Sequence, residues 1–211
     1  MAYRATFRND YKIIIIGSSG VGKTSFANRW NKNIFIENPQ NTVSSEYDFK
    51  VVEVDGKPCR IQLWDLAGQD KNFMLTKIFM RDSHGCIILT DITSQSTRND
   101  AIIWKKAIDE YDQNIPCILA ENKCDLVNKI KNYKEELNKF AFENSFIDCF
   151  RVSAKTGHNV YKAMTALIKY INKKMDKFSE KNFESRRTSL ALDPSKHTRA
   201  ENARRKKKKC C

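Results

Sequence analysis

Residues 12–16, Lys-Ile-Ile-Ile-Ile, run directly into Gly17-Ser18-Ser19-Gly20-Val21-Gly22-Lys23-Thr24. A β-branched run of this kind is a strand buried on both faces, because alternate side chains point to opposite sides and here both sides are apolar. The octet satisfies G-x-x-x-x-G-K-[ST] in the strand–turn–helix setting that gives the pattern its meaning, with the helix expected over Lys23 to Trp30. Glycines let backbone N–H groups approach phosphate oxygens, and the helix N-terminus adds positive potential. Lys23 is placed to reach β- and γ-phosphates, and the Thr24 hydroxyl to ligate Mg²⁺. A merely flexible glycine loop has no need of Lys and Thr at those positions. The expected ligand is a nucleoside triphosphate.

The rest of the chain repeats the alternation. Val51–Val54 and Arg60–Trp64 flank Asp55-Gly56 and read as an antiparallel hairpin. Cys86–Thr90, Cys117–Ala120 and Phe150–Ser153 read as further strands, and Ala101–Tyr111, Lys134–Asn144 and Val160–Phe178 as helices. Ile103, Trp104, Ala107, Ile108 and Tyr111 form an apolar stripe on the first of these helices and are assigned to the core. Strands alternating with helices imply an α/β fold with a mostly parallel sheet covered on both faces and ligands at the carboxyl ends of the strands. There is no internal repeat.

That placement decides which loops carry chemistry. Trp64-Asp65-Leu66-Ala67-Gly68-Gln69 ends the second hairpin strand. Asp65 suits a second-sphere Mg²⁺ position, Gly68 offers a backbone N–H to a γ-phosphate, and Gln69 suits the orientation of an attacking water. Asn122-Lys123-Cys124-Asp125 follows a later strand. Asp125 can accept from N1–H and the exocyclic amine of guanine, whereas adenine would leave it unpaired, which selects GTP over ATP. Ser153-Ala154-Lys155 ends the last strand and is placed to close over the base. Taken singly, D-x-x-G is weak, and a charged turn explains N-K-C-D equally well.

Together, in this order and each after a strand, the four elements resemble the Ras superfamily of small GTPases from about Asp10 to Met175, and within it the Rab family. Thr42-Val43-Ser44-Ser45-Glu46-Tyr47 corresponds to that family's T-I-G-x-[DE]-F segment. The likeness continues without a gap through Val54–Lys57 and Leu63–Gln69 to Asp91-Ile92-Thr93, and a terminal Cys-Cys adds to it. The resemblance implies a three-layer P-loop GTPase fold on a six-stranded sheet. It implies phosphate contacts at Ser19, Gly20, Val21, Gly22, Lys23, Thr24, Ser25, Thr42 and Gly68, with Gln69 catalytic. Mg²⁺ would be held by Thr24, by Thr42 and, through water, by Asp65. Guanine contacts would come from Phe35, Asn122, Lys123, Asp125, Ser153, Ala154 and Lys155. Tyr47, Trp64 and Phe79 would face effector proteins, although buried sheet aromatics explain them as well.

Several residues depart from the family pattern. Ser44 stands for the Gly of T-I-G, Asp70-Lys71-Asn72 for Glu-Arg-aromatic, and Arg151-Val152 for Glu-Thr. None removes a phosphate, Mg²⁺ or guanine contact; they bear on partner choice and on packing of the segment after Gln69. Leu66, Trp104-Lys105 and the N-K-C-D-L run are similar to the Rab subgroup linked to lysosome-related organelles.

Net charge is +13, of which residues 186–211 carry +8, so the excess belongs mainly to the tail. With 41% hydrophobic residues, 7 Gly and 4 Pro, the composition is that of a globular chain and excludes collagen or a disulfide miniprotein. No window approaches a membrane span, and the first residues resemble no secretory signal, so the chain reads as cytosolic. Cys59, Cys86, Cys117, Cys124 and Cys149 lack metal spacing and read as reduced, buried thiols.

A flexible tail is expected over 176–211, after a short extension over 1–9 and a GTPase domain over 10–175. Arg204-Arg205-Lys206-Lys207-Lys208-Lys209-Cys210-Cys211 has three readings: a nuclear or nucleic-acid patch, a solvated charge run, or a doubly prenylated terminus. Two lipid chains anchor stably where one is marginal, and each nearby base adds about 1 kcal/mol on an anionic leaflet, which favours the membrane. The nearly balanced domain argues against nucleic acid.

The reading is therefore a Mg²⁺-dependent GTP/GDP switch on the cytoplasmic face of intracellular membranes and vesicles, with a cytosolic pool. Its expected partners are effectors, an exchange factor, a GTPase-activating protein, and escort- and GDI-type chaperones. No arginine stands in the phosphate loop, so slow intrinsic turnover and an activator's arginine are expected. Nothing requires more than a monomer. The rival is a non-cycling scaffold or tether on the same fold.

Overall fold

The computed structural model describes residues 9–37, 39, 46–66, 73–127 and 133–191, without side chains for 46, 73–76 and 182–191. Six strands form one sheet: β1 (Asp10–Ile16), β2 (Glu46–Val54), β3 (Lys57–Asp65), β4 (Gly85–Asp91), β5 (Cys117–Asn122) and β6 (Asp148–Arg151). Their order is β2-β3-β1-β4-β5-β6; β2 runs antiparallel to β3 and every other pairing is parallel. The helices are α1 (Lys23–Lys32), α2 (Phe73–Met80), α3 (Gln95–Tyr111), α4 (Tyr133–Glu143) and α5 (Val160–Ala191).

The isoleucine run of β1 explains the layering. Ile13 and Ile15 join Phe26 and Trp30 of α1 and Met164, Leu167 and Ile168 of α5 in one core. Ile14 and Ile16 join Met80 of α2, Ala101 and Ile108 of α3, and Leu137 and Ala141 of α4 in the other. All four isoleucines are at most 2% exposed. Each fully buried side chain of this size contributes roughly 1.5–3 kcal/mol, and the two-sided run requires helices on both faces. The three-layer expectation is met.

The elements differ from the sequence reading in several places: β2 starts at Glu46 rather than Val51, and β3 at Lys57 rather than Arg60. α2 was not foreseen. α3 starts at Gln95 and is rotated from the expected stripe: Ala101, Lys105 and Ile108 are buried and Trp104 packs on the core, while Ile103 and Tyr111 are exposed. Lys105 is buried because its ammonium pairs with Asp109 one turn on, at 2.5 Å, while its stem lies along the apolar interior. β6 sits two residues earlier than expected.

Finally, α5 does not end near Phe178 but continues to Ala191. No Gly or Pro interrupts residues 160–193, and Pro194 is the first residue that would stop a helix. The chain divides into two compact units after Ile171; the first contains the sheet, and the described part of the second is the stretch of α5 from Asn172 to Ala191. Among the described residues no helix is long and apolar enough to cross a membrane.

Candidate functional site

The loop after β1 is shaped by close backbone approaches. Gly22 has φ +93°, and a Cβ there would lie 2.5 Å from Asn122 Nδ2; at Gly17 a Cβ would meet the Leu89 carbonyl at 2.2 Å. No other residue fits either position. α1 starts immediately after Gly22, with no side-chain cap and no acid in its first turn, so its N–H groups and positive end face the loop.

Lys23 is 7% exposed and folds back over the loop, donating from Nζ to the carbonyls of Gly17 at 2.9 Å and Ser18 at 3.0 Å. Burial lowers its pKa to about 8, against the opposing pull of Asp65. Thr24 donates from Oγ1 to Asp65 Oδ2 at 2.5 Å, which joins the start of α1 to the end of β3. A hydroxyl and a buried carboxylate are the hard oxygen donors that Mg²⁺ takes, so this pair fits the ion. Ser19 and Gly20 are exposed at the loop tip, Ser25 is buried on α1, and Val21 is a core residue that presents only its backbone.

The elements assigned to the base meet behind this loop. Asn122, 2% exposed, donates from Nδ2 to the Val21 carbonyl at 2.8 Å, while its Oδ1 accepts from the Ala154 N–H at 3.0 Å. Its amide therefore ties β5 to the phosphate loop on one side and to the 153–155 loop on the other. Asp125 stands in the short 3-10 turn Cys124–Leu126 and accepts at Oδ1 from Ser153 Oγ at 2.5 Å; the same Oγ accepts from the Thr156 N–H. Lys123 has a left-handed backbone, φ 64°, and pairs from Nζ with Asp91 Oδ2 at 2.6 Å. Burial raises the Asp91 pKa, but hydrogen bonds from Lys123 and Thr93 outweigh it and leave the group below its usual value. Lys155 pairs with Glu37 at 3.2 Å on the surface, and Phe35 packs, half-buried, against the core.

Three residues here were not foreseen. Asp91 holds Lys123. Arg29, in the last turn of α1, donates to the carbonyls of Ala154 at 2.8 Å and Lys155 at 2.6 Å. Asp100 of α3 accepts from Ser18 Oγ at 2.6 Å and fixes the loop from the other side. Asp91 ends a strand as Asp65 does, which was the available signal; nothing in the spacing of Arg29 or Asp100 distinguishes them from surface charges.

Tyr47, Trp64 and Phe79 come together on the far side of β3. Tyr47 stacks on Trp64 with centroids 4.7 Å apart at 21°, and Trp64 meets Phe79 at 5.8 Å. Tyr47 remains 61% exposed, so the group is not an ordinary buried cluster. Thr42, Ser44, Gly68, Gln69, Asp70, Lys71, Asn72, Cys210 and Cys211 lie outside the described residues.

Residues 12–173 match the Ras family. The chain is 35% identical over 162 residues to Ras-related protein Rab-32C of Dictyostelium discoideum, covering 76% of this chain and 72% of that protein. It is 32% identical over 164 residues to human Ras-related protein Rab-7L1, covering 75% and 80%, and 34% identical over 167 residues to Ras-related protein RIC1 of Oryza sativa subsp. japonica, covering 78% and 82%. The chain belongs to the Ras family, as a Rab-type small GTPase. Members of that family work on GTP and GDP, generally with Mg²⁺.

Proposed function

We propose that this protein is a GTP/GDP-cycling switch that hydrolyses GTP slowly on its own, is reset with an activating protein, and recruits effectors to an intracellular membrane. The observation that supports it most is the Thr24–Asp65 pair beside Lys23, at the N-terminus of α1 and at the carboxyl ends of β1 and β3. That is where triphosphate, Mg²⁺ and attacking water must meet.

In this reading, backbone N–H groups of residues 19–25 and of Gly68 cradle the phosphates. Thr24 and Thr42 hold Mg²⁺ directly and Asp65 through water; when bound, the ion neutralises charge developing on the transferred phosphoryl group. Lys23 leaves its two carbonyl partners for the phosphates, and Gln69 orients the water for in-line attack. Asp125 reads the guanine edge, with Ser153, Ala154, Lys155 and Phe35 closing around the base. Asn122 acts by positioning, since its amide is already bonded to Val21 and Ala154, and Lys123 is aligned by Asp91.

The switch segments are 33–47 and 66–80, held when the γ-phosphate is present and released after hydrolysis. They contribute Tyr47 and Phe79 to the cluster around Trp64, the surface assigned to effectors. The GTPase domain covers 10–175, and 176–211 forms a basic arm whose Cys210 and Cys211 carry prenyl groups on an anionic cytoplasmic leaflet. An exchange factor and escort- and GDI-type chaperones complete the cycle, and the protein acts as a monomer. Lysosome-related organelles are the proposed site.

Nucleotide competition on the full chain tests the reading. GTP and GDP should displace a fluorescent GDP analogue and ATP should not; Asp125→Asn should move the preference toward xanthosine nucleotides, whose C2 oxygen accepts where guanine donates. Displacement by ATP as readily as by GTP would overturn it.

A further inference from the structure

We propose that the cleft between α4, β6 and α5 is a docking site for an acidic segment of a partner protein, anchored by an aromatic or aliphatic side chain. This stands apart from the nucleotide reading and uses none of its residues. The cleft has a volume of about 1020 Å³, enough for several side chains. Its floor is apolar, formed by Leu137 of α4, Phe150 of β6 and Ala166 of α5. Lys134, Arg151 and Lys162 stand around it, one cation from each element.

Charge complementarity decides the occupant. Lys134 and Lys162 are exposed, and among the described residues neither makes an ion pair or a side-chain hydrogen bond. The Arg151 guanidinium lies 4.2 Å from the Tyr133 ring centroid, and its buried Nε has no hydrogen-bond partner. Lys169, also on the lining, is already paired with Asp55 at 2.7 Å, and Asp148 is the acid on the lining. Arg151 also faces the buried Glu121 carboxylate across the sheet, so the uncommitted positive charge of the cleft is that of Lys134 and Lys162. A flat anionic surface cannot fill a concave, apolar-floored cleft, whereas a peptide with carboxylates flanking one large apolar residue meets both floor and rim.

The backbone of β6 shows how such a segment is held. β6 is an edge strand, but its Cys149 N–H is bonded by Asp148 Oδ1 at 2.8 Å and its Arg151 carbonyl by Asn159 Nδ2 at 2.9 Å. With those two groups engaged, strand addition is disfavoured. Recognition falls to side chains: an apolar anchor on the floor and carboxylates on the exposed Lys134 and Lys162.

The test uses the full chain loaded with GDP and Mg²⁺ and a fluorescein-labelled peptide of glutamates around a central phenylalanine, followed by anisotropy. The double variant Lys134→Glu, Lys162→Glu should weaken binding on the order of tenfold or more, with nucleotide release unchanged. Replacing Lys206 to Lys209 by glutamine should leave binding in place. A glutamine-for-glutamate peptide should not bind. The proposal fails if the glutamate peptide does not bind, if the tail variant abolishes binding while the cleft variant does not, or if the glutamine peptide binds equally. It also fails if the cleft variant instead loses association with phosphatidylcholine–phosphatidylserine vesicles and keeps the peptide.

Discussion

Asn122 Nδ2 lies 2.8 Å from the Val21 carbonyl, 101 residues away in the chain, and its Oδ1 holds the Ala154 N–H. One buried amide thus sets the distance between the loop assigned to phosphates and the loops assigned to the base. Asn122→Ala leaves Val21 O and Ala154 N–H without it in a buried setting, at a cost of about 1–3 kcal/mol per group. The urea midpoint should fall, and affinity for GTP and GDP should fall together, since both halves of the site lose register. An unchanged midpoint would show that the bond is dispensable.

Gly22→Ala places a Cβ 2.5 Å from that same amide at φ +93°. Steric overlap and left-handed strain act together, so a loss of about 2 kcal/mol or more is expected, with nucleotide affinity reduced more than stability. Gly20→Ala is the control: its φ is also positive, at +78°, but nothing lies within 4 Å of the added carbon, so only the strain is felt. Chemical denaturation and nucleotide titration on both variants separate the two effects.

Arg98 and Glu121 form a buried pair, with Arg98 Nε at 2.6 Å and Nη2 at 2.5 Å from Glu121 Oε1, and Glu121 only 1% exposed. Burial raises the Glu121 pKa, and Arg98 and Arg151 oppose it. Arg98→Ala removes the cation hydrogen-bonded to this carboxylate and leaves only Arg151 to oppose its burial, so it should cost up to about 3–5 kcal/mol, much of which Glu121→Leu should restore in the double variant. Denaturation of the three variants checks this; a double variant as unstable as Arg98→Ala would contradict it.

Asp91 supplies a pH dependence. Its folded pKa is depressed, so its contribution to stability is present above the ordinary value of 3.8 and is lost as pH falls below it, toward the folded pKa. The stability gap between wild type and Asp91→Asn should therefore be constant near neutrality and shrink below about pH 4. Urea midpoints at pH 3.5 and pH 6 are the measurement; a gap that widens in acid would reverse the assigned sign.

The sheet and the phosphate loop were legible because their signals are local and redundant. β1 is apolar at every position from Ile13 to Ile16, and the octet after it sets two of its three glycines, a lysine and a threonine at fixed spacing. α2 was not legible, since residues 73–80 are apolar nearly throughout and give no phase to a helical period. α3 was misphased because Lys105 is buried on the strength of its partner Asp109, a tertiary fact that hydropathy does not carry. The extension of α5 to Ala191 was missed because scarcity of apolar residues argues against a core, not against a helix lacking Gly and Pro. In the site, motif spacing named Asn122 but not the direction of its amide, and Arg29, Asp91 and Asp100 act through contacts made only when distant strands and helices meet.

Nucleotide affinity measured in Mg²⁺ and again in EDTA addresses the central claim most directly, because Thr24 and Asp65 are assigned to the ion and Asp125 to the base. Tight binding of GTP and GDP that weakens when Mg²⁺ is withdrawn, with no competition from ATP, is the predicted result. A protein that binds no guanine nucleotide, or binds one equally well in EDTA, would contradict the account and leave a scaffold built on a GTPase fold.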